Sequence, residues 1–124
     1  LGLNYDPSHL VRIGIDYLRV LNEFADKVLH VHAKDTVFDQ EALYLHGNLG
    51  PTFHSPRGFG EDWWRYCIPG DGVIDWLKVV QRLEDEGFDG IVSVELEDYR
   101  DWEDWEAQAD GLKRSQSFLS NIVR

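Results

Sequence analysis

Apolar and polar positions alternate along three short stretches of the chain, which is the pattern of half-buried β-strands. These stretches are residues 1–6, 28–35 and 90–96. A fourth, aromatic stretch at residues 63–68 also predicts a strand. Elsewhere, apolar residues recur every three or four positions, which predicts amphipathic helices. The predicted helices cover residues 8–13, 17–25, 75–86 and 102–122.

A long connection at residues 36–62 shows no sustained period. Six glycines and prolines lie between residues 47 and 60, which limits regular structure to a helical turn at residues 40–45. A connection of this length is typical of a functional or a mobile loop. His46 and His54 lie in it. We expect each at the surface or beside a substrate rather than on a metal, because a loop fixes ligand geometry poorly.

The second strand carries two histidines on one face. Alternation places Leu29, Val31 and Ala33 on one side, and Val28, His30 and His32 on the other. Lys34 and Asp35 follow directly. Two imidazoles on one face fit either a pair of hydrogen-bonded core histidines or a metal site.

The first and last strands end in a comparable way. Asn4 and Asp6 share the polar face of the first strand, and Ser93 and Glu95 share that of the last. Three strands that end in Asp6, His32 and Glu95 offer oxygen and nitrogen ligands. Such a set suits Mn²⁺, Mg²⁺, Co²⁺ or Zn²⁺ rather than a thiolate-bound metal.

Four blocks of sequence carry a resemblance to a known family. They read GLNYDPSHL, FADKVLHVHAKDT, WWRYCIPGDGVIDW and GFDGIVSVELED. In this order they resemble the sugar phosphate isomerase/epimerase family of the xylose isomerase-like barrels, whose relatives include ketose 3-epimerases, inosose dehydratase and endonuclease IV. The resemblance implies a (β/α)8 TIM barrel, which needs about 250 residues. We therefore expect residues 1–124 to form the C-terminal half of such a barrel, about strands five to eight with their helices.

The resemblance also implies a metal site. Asp6, His32 and Glu95 match the family's metal ligands, and Glu95 matches one of two glutamates that move the substrate's proton. The second glutamate belongs to strand four, which we expect in the missing N-terminal half. Mn²⁺ is the expected ion, with Mg²⁺, Co²⁺ and Zn²⁺ as alternatives.

Four further residues are expected to bind the substrate, namely His9, His30, Lys34 and Arg65. A histidine at the spacing of His9 contacts substrate in the ketose 3-epimerases, although a polar residue at a helix start is the simpler interpretation. Lys34 can reach a substrate oxygen or a neighbouring carboxylate. For Arg65, a role at the surface is as well supported as an anion or hydroxyl contact. Asp71 looks like a ligand, but its Pro-Gly-Asp-Gly context favours a turn.

Charge and cysteine content restrict the function classes. The net charge is −11, with 23 acidic against 12 basic residues, which argues against nucleic-acid binding and an endonuclease role. One cysteine, Cys67, excludes an internal disulfide and fits a reducing cytoplasm. No apolar run reaches the length of a membrane span, so no membrane partner is expected.

Three functions remain open at this point. The first is a divalent-metal-dependent isomerase or epimerase that acts on a sugar or sugar derivative by proton abstraction next to a carbonyl, through an enediolate. The second is a lyase of the inosose dehydratase type, in which water leaves. The third is an inert fragment, because one glutamate of the pair is missing. The expected partners are a sugar substrate, the missing half of the barrel, and a second copy of the chain.

Overall fold

The computed structural model describes residues 1–48, 60–61, 63–98 and 104–123. The strands are β1 (Leu3–Tyr5), β2 (Val28–Ala33), β3 (Asp35–Phe38), β4 (Gly60–Glu61), β5 (Trp64–Cys67) and β6 (Ile91–Val94). The helices are α1 (Pro7–Val11), α2 (Tyr17–Phe24), α3 (Gln40–His46), α4 (Trp76–Glu86) and α5 (Trp105–Ser120), and a 3-10 turn covers Ala25–Lys27. Within these residues no helix is long and apolar enough to cross a bilayer.

Three strands form a parallel sheet in the order β1-β2-β6. Helices separate these strands along the chain, as in βα units. Ala33 of β2 lies opposite Val94 of β6, so the two strands end at the same level. The parallel arrangement therefore brings the residues that follow β1, β2 and β6 to one edge of the sheet.

The register of the β1–β2 pair shifts within β2, so the side chains at the start of β2 do not face the sides that alternation predicted. Leu3 pairs with Val28, and the next residue of β1 pairs with His30, so Leu29 is an extra residue in β2. Such a bulge exchanges the faces on its two sides. Val28 is buried in the core, whereas Leu29 is 68% exposed. The prediction was therefore wrong for these two residues and correct for Val31 and Ala33, which are buried.

A second, antiparallel sheet has the order β3-β5-β4. Thr36 pairs with Tyr66 and Phe38 with Trp64. The aromatic strand is therefore part of this sheet rather than a barrel strand, and β3 and α3 occupy a segment predicted as mainly loop. Among the described residues there are three parallel strands, not the four expected. His46 ends α3 and is exposed, while His54 lies outside the described residues.

The core lies between the parallel sheet and helices α2 and α4. Leu21, Val31, Trp76, Val79 and Leu83 are buried there. Asp75 caps α4 by accepting from Lys78 N, and Gly87 ends the helix in the left-handed conformation with φ of 77°, as its position predicted.

The apolar stripe predicted for the last helix is buried only in part. Leu119 packs in the core, but Trp105 is 78% exposed and Leu112 and Val123 are also exposed. α5 lies against β6, which is an outer strand of the described sheet. Phe118 also packs against the core, whereas Trp105 and Leu112 lie beyond the core formed by the described residues.

Candidate metal centre

Asp6 links the end of β1 to the start of α1. Its Oδ1 caps α1 by accepting from Ser8 N at 2.9 Å and from Ser8 Oγ at 2.6 Å. These bonds fix the carboxylate and leave Oδ2 on its other side. Oδ2 is buried and accepts no hydrogen bond. It lies 3.3 Å from His9 Nε2 and 3.4 Å from Lys34 Nζ.

Lys34 follows β2 and is completely buried among acidic residues. Its Nζ donates to Glu95 Oε2 at 2.7 Å and to Glu97 Oε2 at 2.5 Å, and lies 3.3 Å from His9 Nε2. The ammonium also lies 4.4 Å from the centre of the Tyr66 ring, within cation–π range. An ammonium has three N–H groups, and these neighbours account for all three. Lys34 therefore orients other side chains in this structure.

Asp6, His9 and Glu95 form a group of three side chains that could hold a metal. Their ligand atoms lie within 4.8 Å of one another. Two ligands of one ion, each about 2.1 Å from it, can be at most about 4.2 Å apart, so a small closure of the side chains suffices. A buried carboxylate oxygen without a hydrogen bond is costly unless a cation satisfies it. Asp6 Oδ2 accepts no hydrogen bond and the Lys34 ammonium lies 3.4 Å from it, so the oxygen keeps lone pairs that fit a divalent ion bound by two carboxylates and one imidazole.

His32, the histidine expected as a ligand, is not in this group of three among the residues described. Its Nδ1 lies 3.1 Å from Glu95 Oε2, and its Nε2 lies 3.1 Å from the amide nitrogen of Asn4. His30 packs edge-on against it, with 5.3 Å between the ring centres. The structure thus brings His32 to Glu95 but groups His9, one turn into α1, with Asp6 and Glu95.

Tyr66 orients the His9 ring. The Tyr66 hydroxyl lies 2.7 Å from His9 Nδ1, and the two rings meet edge-on at 5.4 Å. Because the neighbouring Lys34 can only donate, the bond between its Nζ and His9 Nε2 requires Nε2 to accept. The ring proton then lies on Nδ1 and is donated to the Tyr66 oxygen, so the Nε2 lone pair points toward Lys34 Nζ, and a metal bound at Nε2 would replace that hydrogen bond.

The charges of the cluster shift two of its pKa values. Partial burial acts to raise the pKa of Glu95, but the hydrogen bond and the charge of Lys34 hold it below its usual value. Burial acts to lower the pKa of Lys34, and its hydrogen bonds to Glu95 and Glu97 raise it above its usual value. Glu95 is therefore a carboxylate and Lys34 an ammonium at neutral pH.

Arg65 and Asp98 form an ion pair beside the cluster. Arg65 Nη1 donates to Asp98 Oδ2 at 3.0 Å and to the carbonyl of Tyr66 at 3.3 Å. Asp98 is fully buried. In this structure Arg65 holds the segment that follows β6, while its expected role toward a substrate stays a prediction.

Asp35 organises the loop between β5 and α4. Its buried carboxylate accepts from Gly70 N at 3.2 Å, Ile74 N at 3.0 Å, Thr36 N at 2.8 Å and the Trp76 indole at 3.0 Å. Burial raises the pKa of Asp35, and these donors act against that change. A Cβ on Gly72 would lie 2.1 Å from Asp35 Oδ1, so the close approach requires glycine. Asp71 pairs with Arg114 at 3.2 Å on the surface, as a turn residue would.

Two residues of this site were missed by sequence reasoning, Glu97 and Tyr66. A signal existed for Glu97, because it lies two residues after Glu95 and so recurs with the period of an extended chain. Tyr66 gave no comparable signal, because its approach to His9 depends on the pairing of β5 with β3.

Comparison with known proteins identifies the family of this chain. A family model described as the xylose isomerase-like TIM barrel matches residues 1–122. The chain belongs to this family. The resemblance seen in the four sequence blocks is thus confirmed at the level of the xylose isomerase-like barrels.

Relatives in this family include two named inosose dehydratase. The protein from Lacticaseibacillus casei is 33% identical over 97 residues, and the protein from Geobacillus thermodenitrificans is 33% identical over 104 residues. Each match covers 78% of this chain and 30% of the relative. The chain thus spans 30% of the length of these relatives.

A solved structure shows the same fold. The crystal structure of a xylose isomerase domain protein from Planctomyces limnophilus matches 98% of this chain and 37% of that protein, with a TM-score of 0.69 and 21% identity. At this identity the likeness bears on the fold alone. The xylose isomerase-like TIM barrel fold is therefore confirmed, and the assignment to its C-terminal half stays a prediction.

Proposed function

We propose that this chain contributes to the active site of a divalent-metal-dependent enzyme that removes a proton next to the carbonyl of a sugar or sugar derivative. The observation that supports this proposal most is the grouping of Asp6, His9 and Glu95 around a buried carboxylate oxygen without a hydrogen bond. In parallel barrels the reacting groups lie at the C-terminal ends of the strands, and Asp6 and Glu95 follow β1 and β6.

The side chains of the cluster have separable roles in this proposal. A bound divalent ion would polarise the substrate carbonyl and stabilise the charge of the enediolate. Glu95 is ionised and accepts the proton from the neighbouring carbon. Lys34 fixes the Glu95 carboxylate through Oε2, and Tyr66 fixes the tautomer of His9. These contacts preorganise the base and an imidazole before substrate arrives.

Two reactions share this first step. An isomerase or epimerase returns the proton to carbon, whereas a dehydratase expels a neighbouring hydroxyl as water. The two relatives named inosose dehydratase favour dehydration of a keto-polyol as the second candidate. The described side chains serve either outcome, so product analysis has to separate them.

The complete reaction is proposed to need groups beyond this chain. The chain spans 30% of the length of its dehydratase relatives. Of the two carboxylates in the described cluster, Glu95 is assigned as the base, because Asp6 is held as the cap of α1. We propose that a second carboxylate comes from another barrel strand. The 124-residue chain alone is then expected to bind metal weakly and to show no turnover. Robust epimerase activity of this chain alone would contradict that expectation and indicate that copies assemble a full site.

Binding of Mn²⁺ to the purified chain tests the metal site. Electron paramagnetic resonance measures the loss of the free Mn²⁺ signal during a titration. Glu95→Gln should weaken Mn²⁺ binding at least about tenfold. Glu84→Gln makes the same charge change on the exposed surface of α4 and should not. Absence of Mn²⁺ binding by the unaltered chain would overturn the proposal.

Proton exchange tests the chemistry in the protein that carries the whole barrel. Ketoses and inosose are incubated in D₂O with Mn²⁺, and NMR follows loss of the hydrogen next to the carbonyl. Exchange that depends on Glu95 supports proton abstraction, and the product then distinguishes an epimer from a dehydrated ketone. Unchanged exchange in Glu95→Gln would exclude this residue as the base.

A further inference from the structure

Buried polar atoms without partners mark two places in the described part of the chain. One of these atoms is Asp6 Oδ2 in the metal centre, and the other two are Arg12 Nε and Trp63 Nε1. Leaving a buried donor without a hydrogen bond is unfavourable, so native proteins contain few of them. The two nitrogen donors both belong to residues that line a single cleft.

This cleft has a volume of about 430 Å³ and lies between the end of α1 and Leu43 of α3. Besides Arg12 and Trp63, its walls include Val11, Ile13, Phe38 and Leu43. These four side chains are apolar, and Asn48, which also lines the cleft, accepts no hydrogen bond from either nitrogen. The cleft therefore combines apolar walls with donors that a ligand with acceptor oxygens would satisfy.

Arg12 brings a positive charge to this cleft in a chain of net charge −11. None of the ion pairs found in the described ranges includes Arg12. Its guanidinium lies 4.9 Å from the centre of the Trp64 ring, which holds the group in place without neutralising it. A fixed guanidinium without a carboxylate is suited to bind an anion.

The cleft adjoins the metal centre. Arg12 caps the C-terminal end of α1, three residues after His9, and residues at this spacing are neighbours on a helix. The rings also connect the two places. Trp64 lies under Arg12 and meets Tyr66 edge-on at 4.9 Å, and Tyr66 bonds to His9. Only the rings of Trp64 and Tyr66 therefore separate a ligand at Arg12 from His9 of the proposed metal site.

We propose that Arg12 and Trp63 bind an anionic substituent, a phosphate or a carboxylate, on the part of the substrate that lies away from its reacting carbons. This inference rests on the proposed function, because it takes the reacting carbons to lie at Asp6, His9 and Glu95. The substrate class is thereby narrowed from sugars in general to sugar phosphates or sugar acids. Trp63 stacks on Phe38, with 5.7 Å between the ring centres and 9° between the planes, so its indole N–H has a fixed direction.

Three variants separate the contributions to anion binding. Arg12→Met removes the charge and Nε but keeps most of the aliphatic stem. Trp63→Phe keeps a ring to stack on Phe38 and removes the N–H. Arg19→Met removes an equal charge from an exposed position of α2 and serves as the control. Circular dichroism and thermal unfolding establish that each variant is folded.

Calorimetric titration measures the affinity for four probes, which are inorganic phosphate, a ketose phosphate, a hexuronate and a neutral ketose. We expect the unaltered chain to bind the ketose phosphate or the hexuronate more tightly than the neutral ketose. Arg12→Met should weaken binding of the preferred anion about tenfold or more, and Trp63→Phe about fivefold. Arg19→Met should change it less than twofold. The preferred probe identifies phosphate or carboxylate as the recognised group.

Equal affinity for charged and neutral probes, or equal loss in Arg12→Met and Arg19→Met, would overturn the inference. Mn²⁺ binding is measured on the same variants and should be unchanged in Arg12→Met. If Mn²⁺ binds but the anions do not, this inference fails alone. If the anions bind through Arg12 but Mn²⁺ does not bind, the proposed function fails and the anion site remains.

Discussion

The buried ammonium of Lys34 lies 2.7 Å from Glu95 Oε2, and the same ammonium contacts Glu97 at 2.5 Å. The two glutamates alternate on the segment that follows β6, so the one lysine that follows β2 holds both. Without it, these carboxylates and Asp6 would repel one another in a partly buried site. Lys34 thus determines where the proposed base lies; a neighbouring carboxylate was one of the two contacts expected for it, and its contact with substrate stays a prediction.

Lys34→Met should destabilise the fold, because it leaves neighbouring carboxylates without their cation. We expect a loss of about 2–3 kcal/mol in the free energy of unfolding, measured in urea. This is less than for a fully buried pair, because Glu95 and Glu97 are 33% and 22% exposed. Lys78→Met removes an exposed partner of Asp75 and should lower the free energy of unfolding far less than Lys34→Met does. Equal losses in the two variants would contradict the role given to Lys34.

Asp6→Asn should remove a metal ligand but keep the cap of α1. Asparagine and aspartate are similarly good at the N-cap, so the bond from Ser8 N is retained and the thermal midpoint should change little. Mn²⁺ affinity should fall about tenfold or more in the titration. Asp16→Asn, the matching change at the cap of α2, should leave Mn²⁺ affinity unaltered. Retention of full affinity in Asp6→Asn would remove Asp6 from the ligand set.

Tyr66→Phe should allow the His9 ring proton to move from Nδ1 to Nε2. The hydroxyl that receives the Nδ1 proton is lost, while the ring against Lys34 and Trp64 remains. Nitrogen-15 chemical shifts of the His9 ring should then show a larger population with the proton on Nε2. Tyr44→Phe changes a tyrosine that is 83% exposed and should leave the His9 spectrum as it is. An unaltered spectrum in Tyr66→Phe would show that another group fixes the ring.

Cys67 should make stability fall at alkaline pH. Burial, and then the charge of Asp35, raise the pKa of its thiol to about 12, whereas an exposed thiol has a pKa of about 8.5. Between these values the folded state binds more protons than the unfolded state, so stability is full below about pH 8.5 and declines as the pH rises. Urea unfolding at pH 7, 9 and 10 measures this decline. Cys67→Ala should show a smaller decline, and an identical pH profile would contradict the assignment.

The described parallel sheet should favour self-association of the 124-residue chain. β1 and β6 are its outer strands, and Leu3, Leu29 and Ile91 are exposed side by side near their start. Burial of such residues is worth about 25 cal/mol per Å². We expect sedimentation at micromolar concentration to show a dimer, with each copy covering the other. A well-folded monomer would refute this, and Leu29→Lys should weaken association if the patch is used.

The sequence predicted the parallel strands and α4 because their signals are local. The alternation of apolar and polar residues predicts where β1, β2 and β6 end. Asp75 marks the start of α4 and Gly87 its end. The same alternation placed Asp6 and Glu95 at the site. Asp6 and Lys34 were named from their positions at strand ends and His9 from the family resemblance, and the structure brings all three into contact.

The features that the sequence did not predict depend on pairing between strands that are far apart in the chain. The bulge at Leu29 arises from the register between β1 and β2, which alternation within β2 alone does not contain. The pairing of β3 with β5 spans a connection without periodicity, so neither β3 nor the contact of Tyr66 with His9 was predicted. The choice between His9 and His32 beside Asp6 likewise depends on how α1 packs over the strand ends.

Lys34 and Asp35 are consecutive in sequence, yet they serve two different parts of the molecule. The first holds the carboxylates after β6, and the second holds the loop before α4. Insertion or deletion of one residue between Ala33 and Thr36 would therefore move both side chains out of place. The carboxylates after β6 would lose the Lys34 ammonium, and the Gly70 and Ile74 amides would lose the Asp35 carboxylate. Natural length variation should be excluded from these four positions, whereas the connection after Phe38 has no such constraint from this pair. A designer who grafts a new loop onto this scaffold should begin the graft only beyond β3.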